Sequence, residues 1–285
     1  MLTVRANAKI NWSLAITGLR ADGYHELDML MQSISLCDTL TFEPDDDLSL
    51  SIDGGPAGWD EKNLVCRAAA HLRDACGTAQ GARVTLEKRI PAMAGLGGGS
   101  ADGAATLLAL NRLWDARLSM DELLEIGLSL GADLPFCLTG GLRRVRGIGE
   151  KLEALTAPPS PGLILIMPDE GLSTGAVFTR YDAAPSPLPT DNAAAARALC
   201  AGDFARLDAL AFNDLAAPAI ALNPAVGAAI DDMRSCGARF ARMSGSGSCC
   251  FGVFDEPTKA LEALKPRWPR VWSVETRPCG VEFLE

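Results

Sequence analysis

The stretch Pro91-Ala92-Met93-Ala94-Gly95-Leu96-Gly97-Gly98-Gly99-Ser100-Ala101-Asp102 decides how the rest of the chain is read. Ahead of it, residues 83–90 place Val84, Leu86 and Ile90 on alternate positions with polar residues between, the period of a half-buried strand. After it, Ala104, Leu107, Leu108, Leu110 and Leu113 recur at helical spacing. The order is therefore strand, glycine loop, helix. Glycines let the backbone take positive φ and approach a ligand closely. If Ser100 opens the helix, its hydroxyl and the first free N–H groups face the loop, where the helix dipole favours an anion such as phosphate. A glycine turn can also join strand to helix for packing alone, but that needs one or two flexible residues, not a run. No Lys precedes Ser100, so this is not a Walker A loop, and the spacing is not G-x-G-x-x-G before a helix. Another phosphate-binding class is required.

Length and composition bound the partners. At 285 residues the chain is large enough for two lobes, since single cores seldom outgrow about 250–300 residues. Apolar residues at 48% and charged residues at 22% describe a soluble globular protein, and a net charge of −10 argues against nucleic acid or an anionic membrane. Nine cysteines without a C-x-x-C pair, with only two histidines, give a structural zinc site little to draw on. The odd thiol count and the absence of a signal-like start point to a reducing cytoplasm, and no aliphatic run is long enough for a membrane span. The charge leaves monomer and homodimer open.

Along the chain, residues 2–16 read as a strand with Lys9 and Asn11 at its centre. A central Lys belongs either on an edge or solvent face, or in a buried site that pairs its charge. Tyr24 and His25 follow the turn-rich Arg20-Ala21-Asp22-Gly23; they could hold a heterocyclic base or be a packed aromatic beside a surface imidazole. Residues 29–36, 38–42 and 48–52 read as strands, and Asn63–Cys76 as a helix. Ser119 with Glu122 makes a capping box for a helix that stops at Gly131. Asp133 then either caps the next turn or presents a carboxylate to the glycine loop. The proline-rich Ala157-Pro158-Pro159-Ser160-Pro161 marks a boundary, dividing the chain into residues 1–156 and 157–285. Beyond it, residues 168–175 read as a loop leading into Val177-Phe178, helices are expected near 191–200, 203–212 and 224–236, and the extended tail from Val271 is expected to close the second lobe. Ser244-Gly245-Ser246-Gly247-Ser248, between two strands, is either a plain hairpin or a second backbone surface for phosphate.

Three of these stretches, Lys9 with Asn11, Pro91 to Asp102, and Ser244 to Ser248, resemble in order and content the three motifs of the GHMP kinase superfamily. Arg20-Ala21-Asp22-Gly23-Tyr24-His25 and Gly131-Ala132-Asp133-Leu134-Pro135 narrow the resemblance to members that use ATP to phosphorylate the 2-hydroxyl of a cytidine diphosphate-linked methylerythritol, in the non-mevalonate route to isoprenoid precursors. The resemblance implies an α+β, two-lobed GHMP kinase fold with ATP and substrate in the cleft between an ATP-binding lobe and a substrate-side lobe. It implies ATP phosphates, with Mg²⁺, on Pro91, Gly95, Leu96, Gly97, Gly98, Gly99, Ser100 and Ala101, and Asn63 near the nucleoside. It implies Asp133 as catalytic base with Lys9 as its partner. It implies cytosine between Tyr24 and Phe178, His25 at the cytosine edge, and Asn11 and Thr174 on the substrate; metal ligands are not implied by any residue pattern. This chemistry is coherent, because phosphoryl transfer is mostly positioning and charge stabilisation, and an Asp can take the hydroxyl proton.

Asp102 departs from the pattern. One turn into a helix that greets phosphates, an acid repels them unless it faces away or helps bind Mg²⁺. Two other functions remain: a kinase of the same superfamily acting on homoserine or mevalonate, which lacks the Gly23-Tyr24-His25 element, and a silent nucleotide sensor, which has no use for a base.

Overall fold

The computed structural model describes residues 1–168 and 170–284. Its first sheet is built on two long antiparallel strands, β1 (Leu2–Leu19) and β2 (His25–Asp45). β3 (Leu48–Ile52) follows, then α1 (Leu64–Cys76), β4 (Gly81–Glu87), α2 (Gly98–Leu113), α3 (Met120–Leu130), α4 (Leu134–Thr139), β5 (Leu142–Gly147) and β6 (Lys151–Ala154). The second part carries β7 (Gly162–Ile166), α5 (Thr174–Ala183), α6 (Asn192–Cys200), α7 (Phe204–Leu210), α8 (Ala216–Leu222), α9 (Ala225–Ser235), β8 (Phe240–Met243), β9 (Cys250–Phe254), α10 (Pro257–Leu264), β10 (Val271–Val274) and β11 (Val281–Leu284).

Among the described residues these strands form two sheets. One runs β11-β1-β2-β4-β3 with β5 and β6 attached through β2; the other runs β10-β7-β9-β8. The expected β7 and β9 run deep into the second core, where Leu163–Ile166 and Cys250–Val253 are almost wholly buried. α1 and α2 cover the first sheet with Val65, Ala68, Leu72, Ala104 and Leu107. Trp12 of β1 is buried against Phe204, Phe240 and Phe251, so one of the two long strands of the first sheet roots itself in the second core.

Four expectations are corrected. Residues 29–36 and 38–42 lie in one strand, because the ladder slips between Asn7↔Cys37 and Lys9↔Ser33 without breaking; such a bulge bends a strand and re-aims its side chains, here beside Lys9. α2 opens at Gly98, not Ser100, because Gly97 takes the left-handed conformation (φ 70°) that sets the chain onto the helix. Thr174 and Gly175, read as the end of a loop leading into Val177-Phe178, already belong to α5. The tail from Val271 serves both sheets: β10 pairs β7, but β11 crosses back and pairs β1 from Thr3↔Leu284 to Ala6↔Val281. The capping box at Ser119 forms as expected, with Ser119 and Glu122 each bonding the other's backbone N–H.

Candidate active site

Lys9 is neither on an edge strand nor in solvent. β1 lies between β11 and β2, and the Lys9 side chain is only 5% exposed. Its ammonium donates to Asn11 Oδ1 at 2.7 Å and stands 3.4 Å from Asp133 Oδ2. Two residues apart on one strand, Lys9 and Asn11 share a face, which is why they meet. Asp133 precedes α4 but makes no side-chain cap bond; its carboxylate faces Lys9 instead and keeps 33% of its surface open to the cleft. A buried ammonium needs such partners, because an unpaired charge in that position is costly.

The glycine loop packs directly over this pair. A Cβ on Gly97 would stand 3.0 Å from Lys9 Cγ and 3.7 Å from Asp133 Oδ2. The Gly98, Gly99 and Ser100 N–H groups open α2 without intrahelical acceptors, as in any helix start, and so are chemically suited to receive an anion beside Asp133. The Ala101 N–H, in contrast, bonds Gly97 O at 2.8 Å, and the residue is fully buried.

The loop is strapped to the far end of the chain. Ser244 Oγ donates to Gly95 O at 2.9 Å, Cys249 N–H to Ala94 O at 3.1 Å, and Lys9 N–H to Leu96 O at 3.0 Å. Asn11 N–H in turn donates to Ser244 Oγ at 3.2 Å. Residues 244–248 are thus the turn of the β8–β9 hairpin and also a wall of the site, with Gly245 and Ser246 lining it. Asn213 holds that turn through Nδ2 bonds to Met243 O and Gly245 O.

These elements enclose a cleft of about 730 Å³. Lys9, Asn11, Asn63, Pro91, Gly95 to Ser100, Asp133, Thr174 and Phe178 all line it. Asn63 caps α1, its Oδ1 accepting from Val65 N–H at 2.8 Å. Thr174, at the start of α5, bonds Ser246 through their hydroxyls at 2.8 Å. Tyr24 and His25 lie outside the lining: Tyr24 is 60% exposed on the β1–β2 turn, and His25 is stacked on Phe178 with ring centroids 4.8 Å apart. One face of Phe178 is therefore already covered by imidazole. The apolar wall near Asn63, made by Ile52, Leu64, Leu86 and Ile90, escaped sequence reasoning because each residue serves equally well as ordinary core.

Lys88 also escaped it, and it explains Asp102. The Lys88 ammonium lies between two carboxylates, 2.5 Å from Asp38 and 2.7 Å from Asp102, under the first turn of α2. Asp102 pairs with this cation, and both residues also line the cleft floor; the Asp102 Oδ1 is buried with no hydrogen-bond partner among the described residues. Burial pushes the Asp102 carboxyl up to about 8 against the pull of Lys88, with the Asp38 charge adding to the rise. Burial pulls the Lys88 ammonium down, but Asp102 and Asp38 together outweigh it and hold it above its ordinary value. Asp38 also accepts the N–H groups of Arg89 and Ile90, tying the approach to the glycine loop.

What the geometry can do is hold a polyphosphate on backbone N–H groups while a cleft carboxylate, flanked by a buried ammonium, meets a hydroxyl. Known proteins resemble the chain over most of its length. The family described as GHMP kinases N terminal domain matches residues 63–141, and the one described as GHMP kinases C terminal matches residues 195–270. A 4-diphosphocytidyl-2-C-methyl-D-erythritol kinase of Pelotomaculum thermopropionicum is 42% identical over 255 residues, covering 89% of each chain. A crystal structure of 4-(cytidine 5'-diphospho)-2C-methyl-D-erythritol kinase is 37% identical with a TM-score of 0.81, covering 96% of this chain and 98% of that one. The homoserine kinase structure from Cytophaga hutchinsonii, at 20% identity and a TM-score of 0.77 over 99% of this chain and 97% of its own, shares the fold. Identity of 42% over 89% of the chain and of 37% over 96% of it, with the loop, the lysine and the aspartate assembled in one cleft, makes this chain a member of the 4-diphosphocytidyl-2-C-methyl-D-erythritol kinase family of GHMP kinases.

Proposed function

We infer that the protein transfers the γ-phosphoryl group of ATP to the 2-hydroxyl of 4-diphosphocytidyl-2-C-methyl-D-erythritol. The observation that carries the reading is the Lys9–Asp133 contact of 3.4 Å under a glycine loop in a chain 42% identical to a kinase of that name. In this mechanism the triphosphate rests on the N–H groups of Gly98, Gly99 and Ser100 at the positive end of α2. Asp133 accepts the acceptor's hydroxyl proton, and Lys9 stabilises the charge that develops as the phosphoryl group crosses. Asn11 fixes the Lys9 ammonium and meets the acceptor, with Thr174 across the cleft.

Mg²⁺ accompanies the nucleotide. Among the described residues no group of three or more His, Cys, Asp or Glu side chains could hold an ion by itself. That donor set suits a magnesium ion that arrives on phosphate oxygens and keeps its waters, the usual habit of Mg²⁺ in kinases. Bound there, it would neutralise phosphate charge. We place the nucleotide-binding lobe in residues 1–156 and the acceptor-side lobe in 157–285, with β11 returning to the first; the break between β6 and β7 supports that division. Among the described residues no helix is long and apolar enough to cross a membrane, which suits a cytoplasmic enzyme acting on a small molecule.

The test is ADP release with Mg²⁺-ATP and the cytidylyl-methylerythritol diphosphate, homoserine or mevalonate. Turnover with the first alone is expected, and Asp133→Ala is expected to lower kcat by roughly 10²–10⁴-fold while leaving the acceptor KM within a few fold. Turnover of another acceptor in preference, or wild-type kcat in Asp133→Ala, overturns the reading.

A further inference from the structure

Two carboxylates share one ammonium in the floor of the cleft. Lys88 Nζ is 2.5 Å from Asp38 Oδ2 and 2.7 Å from Asp102 Oδ2; both acids are buried, while Lys88 stays partly open. Gly98 and Asp102 are four residues apart on α2 and so lie one above the other on the same helix face. Lys88 reaches both, with Nζ 3.5 Å from the place a Cβ on Gly98 would take. Lys88 and Asp102 line the same cleft as Gly98, Gly99 and Ser100. The charge of this cluster therefore lies beneath the N–H groups inferred to receive phosphate.

The two acids are not equivalent. Asp38 accepts three N–H donors, Lys88 on Oδ2 and the backbones of Arg89 and Ile90 on Oδ1. Asp102 accepts one, from Lys88, and its Oδ1 is buried with no partner among the described residues. Donors favour the charged form of a carboxyl, and a buried carboxylate oxygen without one is costly. A proton entering the cluster therefore goes to Asp102. Burial, opposed by Lys88 and helped by the Asp38 charge, leaves that carboxyl at about 8. Its titratable neighbours do not compete there. Lys88, though burial pulls it down, is held above its ordinary value by the two acids, and burial holds the Cys137 thiol of α4 well up. Lys9 and Asp133 meet the loop at Gly97 instead.

We propose that the cluster under α2 couples nucleotide binding to a proton: Asp102 takes up one proton when a polyphosphate settles on the glycine loop, leaving Lys88 and Asp38 as a neutral pair beneath it. The proposal rests on the reading of the loop as a nucleotide site. The proton comes from solvent and returns to it when the nucleotide leaves. At an effective dielectric of about 20, a negative charge roughly 7 Å away raises a carboxyl's proton affinity by about tenfold or more. By linkage, the bound nucleotide favours protonated Asp102, and the proton in turn favours the nucleotide. The coupling is fully present below the carboxyl's value in the empty site and is lost as pH rises above it.

The experiment is titration calorimetry of the intact protein with Mg-ADP at pH 8, in two buffers of different ionisation heat, whose difference counts the protons taken up. Mg-ADP has no titrating proton of its own near that pH. Wild type is expected to take up close to about half a proton, because a carboxyl half protonated before binding becomes nearly fully so. Its Kd is expected to rise roughly tenfold between about pH 7 and pH 9.5. Asp102→Asn is expected to take up none and to hold its Kd within about twofold over the same range. A purely structural Asp102 would change affinity by one factor at every pH and leave the proton count alone. Binding by wild type without proton uptake, or with the same uptake in Asp102→Asn, overturns the proposal and leaves the nucleotide reading standing. If Asp102→Asn does not fold, the wild-type count and pH dependence decide by themselves. Absence of Mg-ADP binding in folded wild type overturns the nucleotide reading, and the proposal falls with it.

Discussion

Asp102 shows how a residue that looks misplaced in sequence becomes intelligible in three dimensions. Its carboxylate is turned under α2 onto Lys88, and Asp38 shares the same cation. Two acids and one ammonium leave an excess negative charge beneath the glycine loop whenever both acids are ionised. A carboxyl held up to about 8 binds a proton in the folded chain over the interval from its ordinary range near 4 up to 8, where the unfolded chain has already lost it. Folded stability therefore falls as pH rises through that window. Lys88 works at a higher window, since its raised value adds stability below its ordinary range that is lost only as pH climbs past it. Wild type is expected to lose several degrees of Tm between pH 6 and pH 9, where about 1 kcal/mol corresponds to roughly 2–4 °C in a chain of this class. Asp102→Asn leaves a neutral Asp38–Lys88 pair and is expected to flatten that slope by at least half. Melting curves in matched buffers decide it; equal slopes in both proteins would mean that Asp102 is ionised throughout.

At the scale of elements, the site is a meeting of three turns and two strands, and its tightest point is Gly95. That residue has φ 72°, and a Cβ there would stand 2.0 Å from Ser244 O. Gly95→Ala thus combines a left-handed backbone, which costs an L-residue about 1–2 kcal/mol, with a clash that pushes the β8–β9 turn off the glycine loop. The expected result is a loss of more than about 2 kcal/mol in urea unfolding and a rise of at least tenfold in the KM for ATP. A variant with normal ATP affinity would show that the strap between the two loops does not shape the cradle. The sequence made the loop legible because chemistry and local conformation coincide there: a glycine run between a strand period and a helix period has few other uses. Lys9 and Asp133 were visible only as two alternatives each, since nothing local says which way a strand Lys or a helix-capping Asp points. α5 and α8 were illegible for a different reason. Gly175 and Pro218 read as breakers, yet each lies in the first turn of its helix, where a missing N–H or a flexible residue costs little. Lys88 stayed hidden because its partners lie 14 and 50 residues away.

At the scale of the molecule, the first sheet depends on the last strand. β11 pairs β1 over Thr3 to Ala6, Asn7 N–H donates to Gly280 O, and the Asn7 side chain reaches both Cys279 O and Glu282. Removing residues 279–285 would leave β1 as an open edge two residues ahead of Lys9, a template for pairing with other chains. The truncated protein is expected to melt at least 5–10 °C lower and to aggregate on heating, followed by light scattering; an unchanged Tm would show that β11 adds nothing to the sheet. The fold class was legible through the resemblance in motif order, but this return was not, because a short terminal strand carries no signal for the sheet it joins. The same pairing sets Thr3 directly opposite Leu284 on adjacent strands, a spacing of roughly 5 Å in any sheet. The chain is therefore close to a closed ring. A short linker could join residues 3 and 284, and new ends could be opened in the exposed segment 184–189, giving a circular permutant in which Lys9 and the glycine loop keep their places while their order along the polypeptide changes.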